Sequence, residues 1–125
     1  MSEFKRVVLI DSNLFFLAKV SAVLKNCGYQ VETAGSVQEV YAKVQANAVL
    51  IIVNLMAPGI KSLDWIGAIK KDPATKNVPL LGFAGHLAQE VFSAAMAAGC
   101  DRVVSNGELC LRAPEILRQM EQMEK

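Results

Sequence analysis

The chain has 125 residues, a length that suits one domain with a sizeable hydrophobic core. Apolar residues make up 53% and charged residues 20%, which excludes a disordered chain, and 13 basic against 12 acidic side chains give no electrostatic footprint for nucleic acid. No apolar run approaches the ~18 residues of a membrane span, and the first residues lack a signal-peptide layout. We therefore expect a cytoplasmic protein that binds neither membrane nor nucleic acid.

The cysteines Cys27, Cys100 and Cys110 are widely spaced and form no CxxC pattern. In a reducing compartment, such cysteines are typically free thiols that are buried or half-buried.

Five apolar runs alternate with five segments of helical periodicity along the chain. The first helical segment carries Phe16, Val20, Val23 and Cys27 on one stripe, with Ser12 or Asn13 as its N-cap. The runs that we predict to be strands are 7–10, 30–34, 48–53, 78–83 and 102–105.

Local signals predict where the later helices begin. The segment 36–39 matches a capping box, Ser62 is a predicted N-cap, and a fourth helix is expected over 88–98. The pair Asn106-Gly107 indicates a turn, and Pro114 suits the first residue of the last helix.

This alternation predicts a single α/β domain over residues 1–125, with a parallel sheet and helices on both faces. Ligands of open parallel sheets bind at the carboxyl ends of the strands. The residues expected at that edge are Asp11, Ser12, Asn54, Ala84 and Asn106.

Four stretches of the chain resemble the receiver domain of two-component response regulators, and the resemblance covers essentially the whole chain. The stretches are 10–13, 53–59, 78–84 and 98–101. The second is the most specific, because a polar residue four positions before Pro58-Gly59 and after a buried strand matches the family's phosphorylation site. The resemblance implies a flavodoxin-like (βα)5 doubly wound sandwich with strand order 2-1-3-4-5.

The resemblance also implies a phosphorylation site of five parts. Two adjacent acids and a phosphoacceptor aspartate hold Mg²⁺, a hydroxyl residue senses the phosphoryl group, and a lysine neutralises it. Only the first acid is kept, as Asp11, whereas Ser12, Asn54, Ala84 and Asn106 stand at the other four positions. A carboxamide is neutral and a poor nucleophile. We therefore predict a pseudo-receiver that is not an enzyme, uses no cofactor and binds Mg²⁺ weakly or not at all, with Asp11 as a weak candidate ligand.

The resemblance further implies an output surface made of the fourth helix, fifth strand and fifth helix. The leading hypothesis is a phosphorylation-independent module of a two-component or phosphorelay-type pathway. It would bind a signalling protein, or a second copy of itself, through this surface. The candidate contact residues are Phe92, Met96, Arg102, Val103 and Arg112.

Two alternative functions remain open. The remnant pocket, through Asp11, Ser12, Asn54 and His86, could sense a small ligand or a metal. Ser12 or another residue could also be phosphorylated in a non-standard way.

Around the same pocket, four apolar residues fit either an exposed binding patch or ordinary packing. They are Leu14, Phe15, Leu55 and Met56.

Overall fold

The computed structural model describes residues 5–86 and 88–123. The strands and helices alternate along the chain, as the apolar runs predict. They are β1 (Lys5–Ile10), α1 (Leu14–Asn26), β2 (Tyr29–Thr33), α2 (Val37–Gln45), β3 (Ala48–Asn54), α3 (Ser62–Lys71), β4 (Leu80–Ala84), α4 (Gln89–Ala98), β5 (Arg102–Ser105) and α5 (Asn106–Glu121).

The five strands form one parallel sheet in the order β2-β1-β3-β4-β5, so the predicted fold class is confirmed. The central strand β3 is almost wholly buried because helices cover both faces of the sheet. The helices α2, α3 and α4 cover one face, which includes Val8, Ile10 and Ile51. The helices α1 and α5 cover the other, which includes Leu9 and Ile52.

The starts of α1 and α2 follow the local signals. Asn13 is the N-cap of α1, and its side chain accepts hydrogen bonds from the amides of Phe15 and Phe16. Ser36 caps α2 by accepting from the amide of Glu39. The Glu39 carboxylate accepts from the amide of Gly35, one residue before the position that a capping box predicts.

Ser62 does not cap α3, so that prediction is wrong. It is the first residue of α3 and follows Lys61, which occupies the cap position without a side-chain hydrogen bond. The Ser62 hydroxyl donates to the carbonyl of Leu55 at 2.8 Å instead. A tertiary acceptor has therefore taken the hydroxyl that the local pattern assigned to the helix.

The start of α5 also differs from the prediction. The segment Asn106-Gly107 is the first turn of α5 and not a separate turn, because the Ser105 side chain caps the helix by accepting from the amide of Glu108. The helix kinks at Arg112, which has φ −121° and ψ 26°. Pro114 therefore lies in the first turn that follows the kink, inside α5, where its missing N–H is tolerated.

None of the described helices combines the length and the apolarity that crossing a membrane would require. The three cysteines are free thiols, with Cys100 buried and Cys27 and Cys110 half-buried, as predicted. The predicted domain limits, 1 and 125, themselves fall outside the described residues.

Candidate functional site

The Asp11 carboxylate lies directly after β1, at the carboxyl edge of the sheet, and only 9% of the residue is exposed. Its Oδ1 accepts two hydrogen bonds, from the amide of Asn13 at 2.9 Å and from Nδ2 of Asn54 at 3.0 Å. Its Oδ2 is buried and has no hydrogen-bond partner among the described residues. One half of the carboxylate is therefore satisfied, and the other half is not.

Asn54 is the last residue of β3 and is 2% exposed. Its Nδ2 donates to Asp11, and its Oδ1 accepts from the amide of Met56 at 3.0 Å. The two bonds fix the orientation of the carboxamide, because exchanging its oxygen and nitrogen would lose both. The side chain therefore acts as a neutral brace between β1 and the loop that follows β3.

The loop between β3 and α3 is held at two further points. The Ser12 hydroxyl donates to the carbonyl of Pro58, and the Ser62 hydroxyl donates to that of Leu55. These bonds, together with the brace from Asn54, tie the loop to both the end of β1 and the start of α3. Hydrogen bonds among neutral groups and one carboxylate therefore connect the end of β1, the loop after β3 and the start of α3.

The other two predicted site residues, Ala84 and Asn106, form fewer polar contacts. Ala84 ends β4 fully buried and offers only a methyl group. Asn106 is buried at the start of α5, and its Oδ1 lies 3.8 Å from Sγ of Cys110, a weak contact. No hydrogen bond joins either residue to Asp11 within the described parts of the chain.

The donor set does not fit Mg²⁺. This ion prefers six oxygen ligands in octahedral geometry, usually with at least one carboxylate. Asp11 is the only acid among the five residues predicted for the site, and Asn54 directs an N–H₂ group, not an oxygen, toward it. No cluster of three or more acidic, histidine or cysteine side chains that could hold a metal occurs in segments 5–86 and 88–123.

Exposed apolar side chains lie in the two segments next to this network, the start of α1 and the loop after β3. Leu14 is 78% exposed, Phe15 68% and Met56 63%, whereas Leu55 is buried. We call Leu14, Phe15 and Met56 the carboxyl-edge rim. The sequence left open whether the four apolar residues form an exposed patch or pack in the core. These three are exposed, and Leu55 packs in the core. His86 is exposed in the segment after β4, and no described hydrogen bond joins it to Asp11.

The predicted output surface is partly apolar and partly basic. Phe92 and Met96 lie one turn apart on α4, with 37% and 40% of their surfaces exposed. Arg102 donates to the side chain of Gln119, and Arg112 is held by Glu115 and Glu108. A side-chain hydrogen bond from Arg112 and its charge lower the pKa of Glu115.

Val103 has to be removed from the predicted contact residues. Only 7% of it is exposed, and its side chain packs in the core on the α2, α3 and α4 side of the sheet. Alternation along β5 explains this, because Val103 and Val104 point into opposite buried faces. We call the remaining four residues, Phe92, Met96, Arg102 and Arg112, the α4–β5–α5 face.

No known protein-family profile matches the chain. A curated protein described as "Gliding motility regulatory protein" of Myxococcus xanthus is 30% identical over 105 residues, which are 83% of this chain. The aligned region is 14% of that protein, so the chain spans about one seventh of its length.

Solved structures of receiver domains share the fold. The chemotaxis response regulator CheY4 of Vibrio cholerae superposes with a TM-score of 0.74 at 24% identity, covering 94% of this chain and 99% of that one. The receiver domain of the sensor histidine kinase PA1611 of Pseudomonas aeruginosa, solved with a magnesium ion coordinated in the active site cleft, has a TM-score of 0.82 at 14% identity. The superposition covers 96% of this chain and 99% of that receiver domain. A CheY-like receiver domain protein of Methanospirillum hungatei has a TM-score of 0.72 at 20% identity over 96% and 98% of the two chains. The chain therefore has the flavodoxin-like fold of CheY-like response regulator receiver domains.

Proposed function

We propose that this protein is a receiver-like signalling module that acts without phosphorylation, by binding another protein. The receiver fold supports a role in signalling, as does the similarity to the motility regulator of Myxococcus xanthus. The proposal makes the chain a binding module and not an enzyme, and it places the module in a two-component or phosphorelay-type pathway.

The observation that carries the proposal is the state of Asn54. Its carboxamide is 2% exposed, and both of its polar atoms are engaged, one with Asp11 and one with the amide of Met56. An acyl phosphate forms by attack of a carboxylate oxygen on phosphorus, and a carboxamide oxygen is too weak a nucleophile for that step. The side chain is also held in place by bonds that a phosphoryl group would have to break.

The electrostatics of the edge support the same proposal. A transferred phosphoryl group needs cations that neutralise its charge. Four of the residues predicted for the site supply one carboxylate, two carboxamides and a hydroxyl, from Asp11, Asn54, Asn106 and Ser12. A phosphoryl group would meet the negative charge of Asp11, and none of these four side chains carries a positive charge to offset it.

The α4–β5–α5 face is the surface that we propose for the partner. Two apolar side chains are exposed on α4, and the only charged residue of that helix is Glu90. The strand β5 is the last strand of the sheet on this side, and its first residue, Arg102, is partly exposed. Arginine and methionine are enriched at protein interfaces, which suits Met96 and Arg102.

Intact-mass measurement after incubation with acetyl phosphate and Mg²⁺ tests the first half of the proposal. We expect no gain of a phosphoryl group. The variant S12A serves as a control, because a mass gain that it abolishes would assign phosphorylation to Ser12. A phosphoryl adduct on the wild-type chain would overturn phosphorylation independence.

Charge-introducing variants test the partner face. We expect F92E and M96E to keep the fold, measured by circular dichroism, and to lose the partners or the self-association of the wild-type chain. A42E is the matched control, because Ala42 is an exposed alanine on α2, away from this face. Sedimentation velocity and comparative pull-down provide the readout. Wild-type binding by F92E and M96E would rule out the α4–β5–α5 face.

A further inference from the structure

A cleft opens at the amino edge of the sheet, between the end of α1 and the second half of α5. Its volume is about 400 Å³, and clefts of ~300–1,000 Å³ are typical of small-molecule sites. The side chains that line it include Lys5, Cys27, Tyr29, Leu117, Arg118 and Glu121. We call this feature the amino-edge cleft. It shares no residue with the site around Asp11, which lies at the other edge of the sheet.

The charged groups of the amino-edge cleft favour an anion. The Glu121 carboxylate is already engaged, because it accepts from the Tyr29 hydroxyl and from the Lys5 ammonium at 2.7 Å. Among the described residues, no side-chain hydrogen bond or ion pair uses the exposed Arg118 guanidinium. Glu115, one turn earlier on α5, pairs with another arginine instead. The cleft therefore combines a compensated negative charge with a positive charge that is available to a ligand.

The floor of the cleft is apolar. Leu117 and Tyr29 are buried and belong to the core layer beneath α1 and α5. The half-buried Cys27 packs against the same layer, and burial raises the pKa of its thiol, so this group is uncharged at neutral pH. A ligand that fills the cleft therefore needs an apolar body next to its negative charge.

We propose that the amino-edge cleft binds a small organic carboxylate with an aromatic body. The Arg118 guanidinium holds the carboxylate, because its planar set of N–H donors matches the two oxygens. The aromatic body covers the apolar floor. Lys5 adds a second positive charge and stays paired with Glu121, so the ligand breaks no ion pair. This site goes beyond the proposed function, which requires no ligand.

An amide NMR titration with 4-phenylbutyrate tests the proposal. We expect the signals of Cys27, Tyr29 and Arg118 to shift, whereas the signal of Asn54, at the other edge of the sheet, stays in place. The amide 4-phenylbutanamide has nearly the same shape without the charge and is expected to bind about tenfold more weakly. Butyrate keeps the charge without the ring and should also bind about tenfold more weakly.

Two variants test the role of Arg118. We expect R118Q to bind 4-phenylbutyrate about tenfold more weakly than the wild-type chain. K71Q is the matched control, because Lys71 is another exposed basic residue in the last turn of a helix and does not line the cleft. It should bind like the wild-type chain. Circular dichroism should show a native fold for both variants, since both side chains are exposed.

The cysteines of the wild-type chain provide a second measurement of occupancy. Cys27 lines the cleft, and Cys110 is also half-buried but does not line it. We expect saturating 4-phenylbutyrate to slow the alkylation of Cys27 by N-ethylmaleimide and to leave the rate at Cys110 unchanged. Peptide mapping by mass spectrometry measures the two rates in the same sample.

Several results would overturn the proposal. Equal affinity for 4-phenylbutyrate and its amide would show that the cleft does not recognise the charge, and so would wild-type affinity of R118Q. If inorganic phosphate at the same concentration displaces the probe, the cleft takes simple anions and the apolar floor plays no part. An unchanged alkylation rate at Cys27 would place the binding elsewhere. F92E and M96E should bind the probe like the wild-type chain, so a failure of the partner face is detected separately.

Discussion

At the residue scale, the presence of a carboxamide and not a carboxylate at position 54 explains the hydrogen bonds at the carboxyl edge of the sheet. A carboxamide at position 54 both donates and accepts, so Asn54 can join the carboxylate of Asp11 to the amide of Met56. A carboxylate at position 54 could only accept, and it would face a second carboxylate at hydrogen-bond distance. The polar groups around Asp11 are thus matched to a neutral side chain.

We expect N54D to destabilise the fold by about 2–4 kcal/mol in Mg²⁺-free buffer, because it removes a donor and places two carboxylates together. Added Mg²⁺ should restore part of the loss, since paired carboxylates suit that ion. Urea unfolding with and without Mg²⁺ measures both effects.

N54A is the matched control for that variant. It loses the same hydrogen bond to Asp11 without adding a charge, so its stability should be lower than wild type and independent of Mg²⁺. If N54D and N54A are equally stable without Mg²⁺, the repulsion between positions 11 and 54 is negligible and this account of the site fails.

At the element scale, the connection between α4 and β5 depends on Gly99 and Lys70. The Lys70 ammonium donates to Asp101 at 2.8 Å and to the carbonyls of Lys76 and Val78. Asp101 also accepts from the amide of Leu80, at the start of β4. The lysine side chain is therefore fixed between α3 and the start of β4, and its Cγ lies beside Gly99 at the end of α4.

Gly99 and Gly67 form a matched pair for testing this connection. Gly99 has φ +129°, and a Cβ there would lie 2.8 Å from Cγ of Lys70, which is fixed. We expect G99A to lower the free energy of unfolding by about 2–3 kcal/mol. Gly67 is inside α3 with no atom within 4 Å of an added Cβ, so G67A should raise it by about 0.5–1 kcal/mol.

Chemical denaturation of the two variants measures both shifts. If the free energy of unfolding of G99A equals that of the wild-type chain, the Lys70 side chain moves away from the added Cβ and its hydrogen bonds do not fix it. A loss of stability in G67A would mean that α3 packs more tightly at that point than the open space indicates.

At the scale of the whole molecule, stability rests on two apolar layers, one on each face of the sheet. Cys100 belongs to the layer beneath α2, α3 and α4 and is 5% exposed. Burial, with a smaller contribution from the charge of Asp101 and against an opposing effect of Lys70, raises the pKa of the Cys100 thiol to about 12. This thiol is a packing group in the folded chain, inert toward alkylation until the layer opens.

The Cys100 thiol predicts an alkaline loss of stability. Its pKa is raised on folding, so its contribution is fully present below the ordinary value of 9.0 and is lost as the pH rises toward about 12. The unfolded thiol ionises in that window and the buried one does not. We expect the wild-type chain to lose about 1 kcal/mol per pH unit more than C100A between these limits. If the free energies of unfolding of the wild-type chain and C100A fall in parallel as the pH rises, the raised pKa of the Cys100 thiol is contradicted.

The sequence by itself determined the fold class and the positions of most elements. Alternating apolar runs and helical stripes reflect burial on both sheet faces, and these patterns are local. Side-chain identity alone also supported the prediction that four of the five phosphorylation groups implied by the family resemblance are missing, since a carboxamide, a methyl group or a hydroxyl has the same chemistry in any fold.

Only the tertiary structure decided how the polar groups of the site pair and which apolar groups are exposed. Ser62 gives its hydroxyl to Leu55 and not to α3, because an acceptor outside the local pattern competes for it. The start of α5 is different, since Ser105 and Glu108 have the local S-x-x-E spacing of a capping box, which predicts a helix that begins at Asn106. Val103 alternates into the core, while Leu14 and Phe15 remain outside it. Pairing and exposure depend on what the rest of the chain brings to each side chain, and no local spacing specifies that.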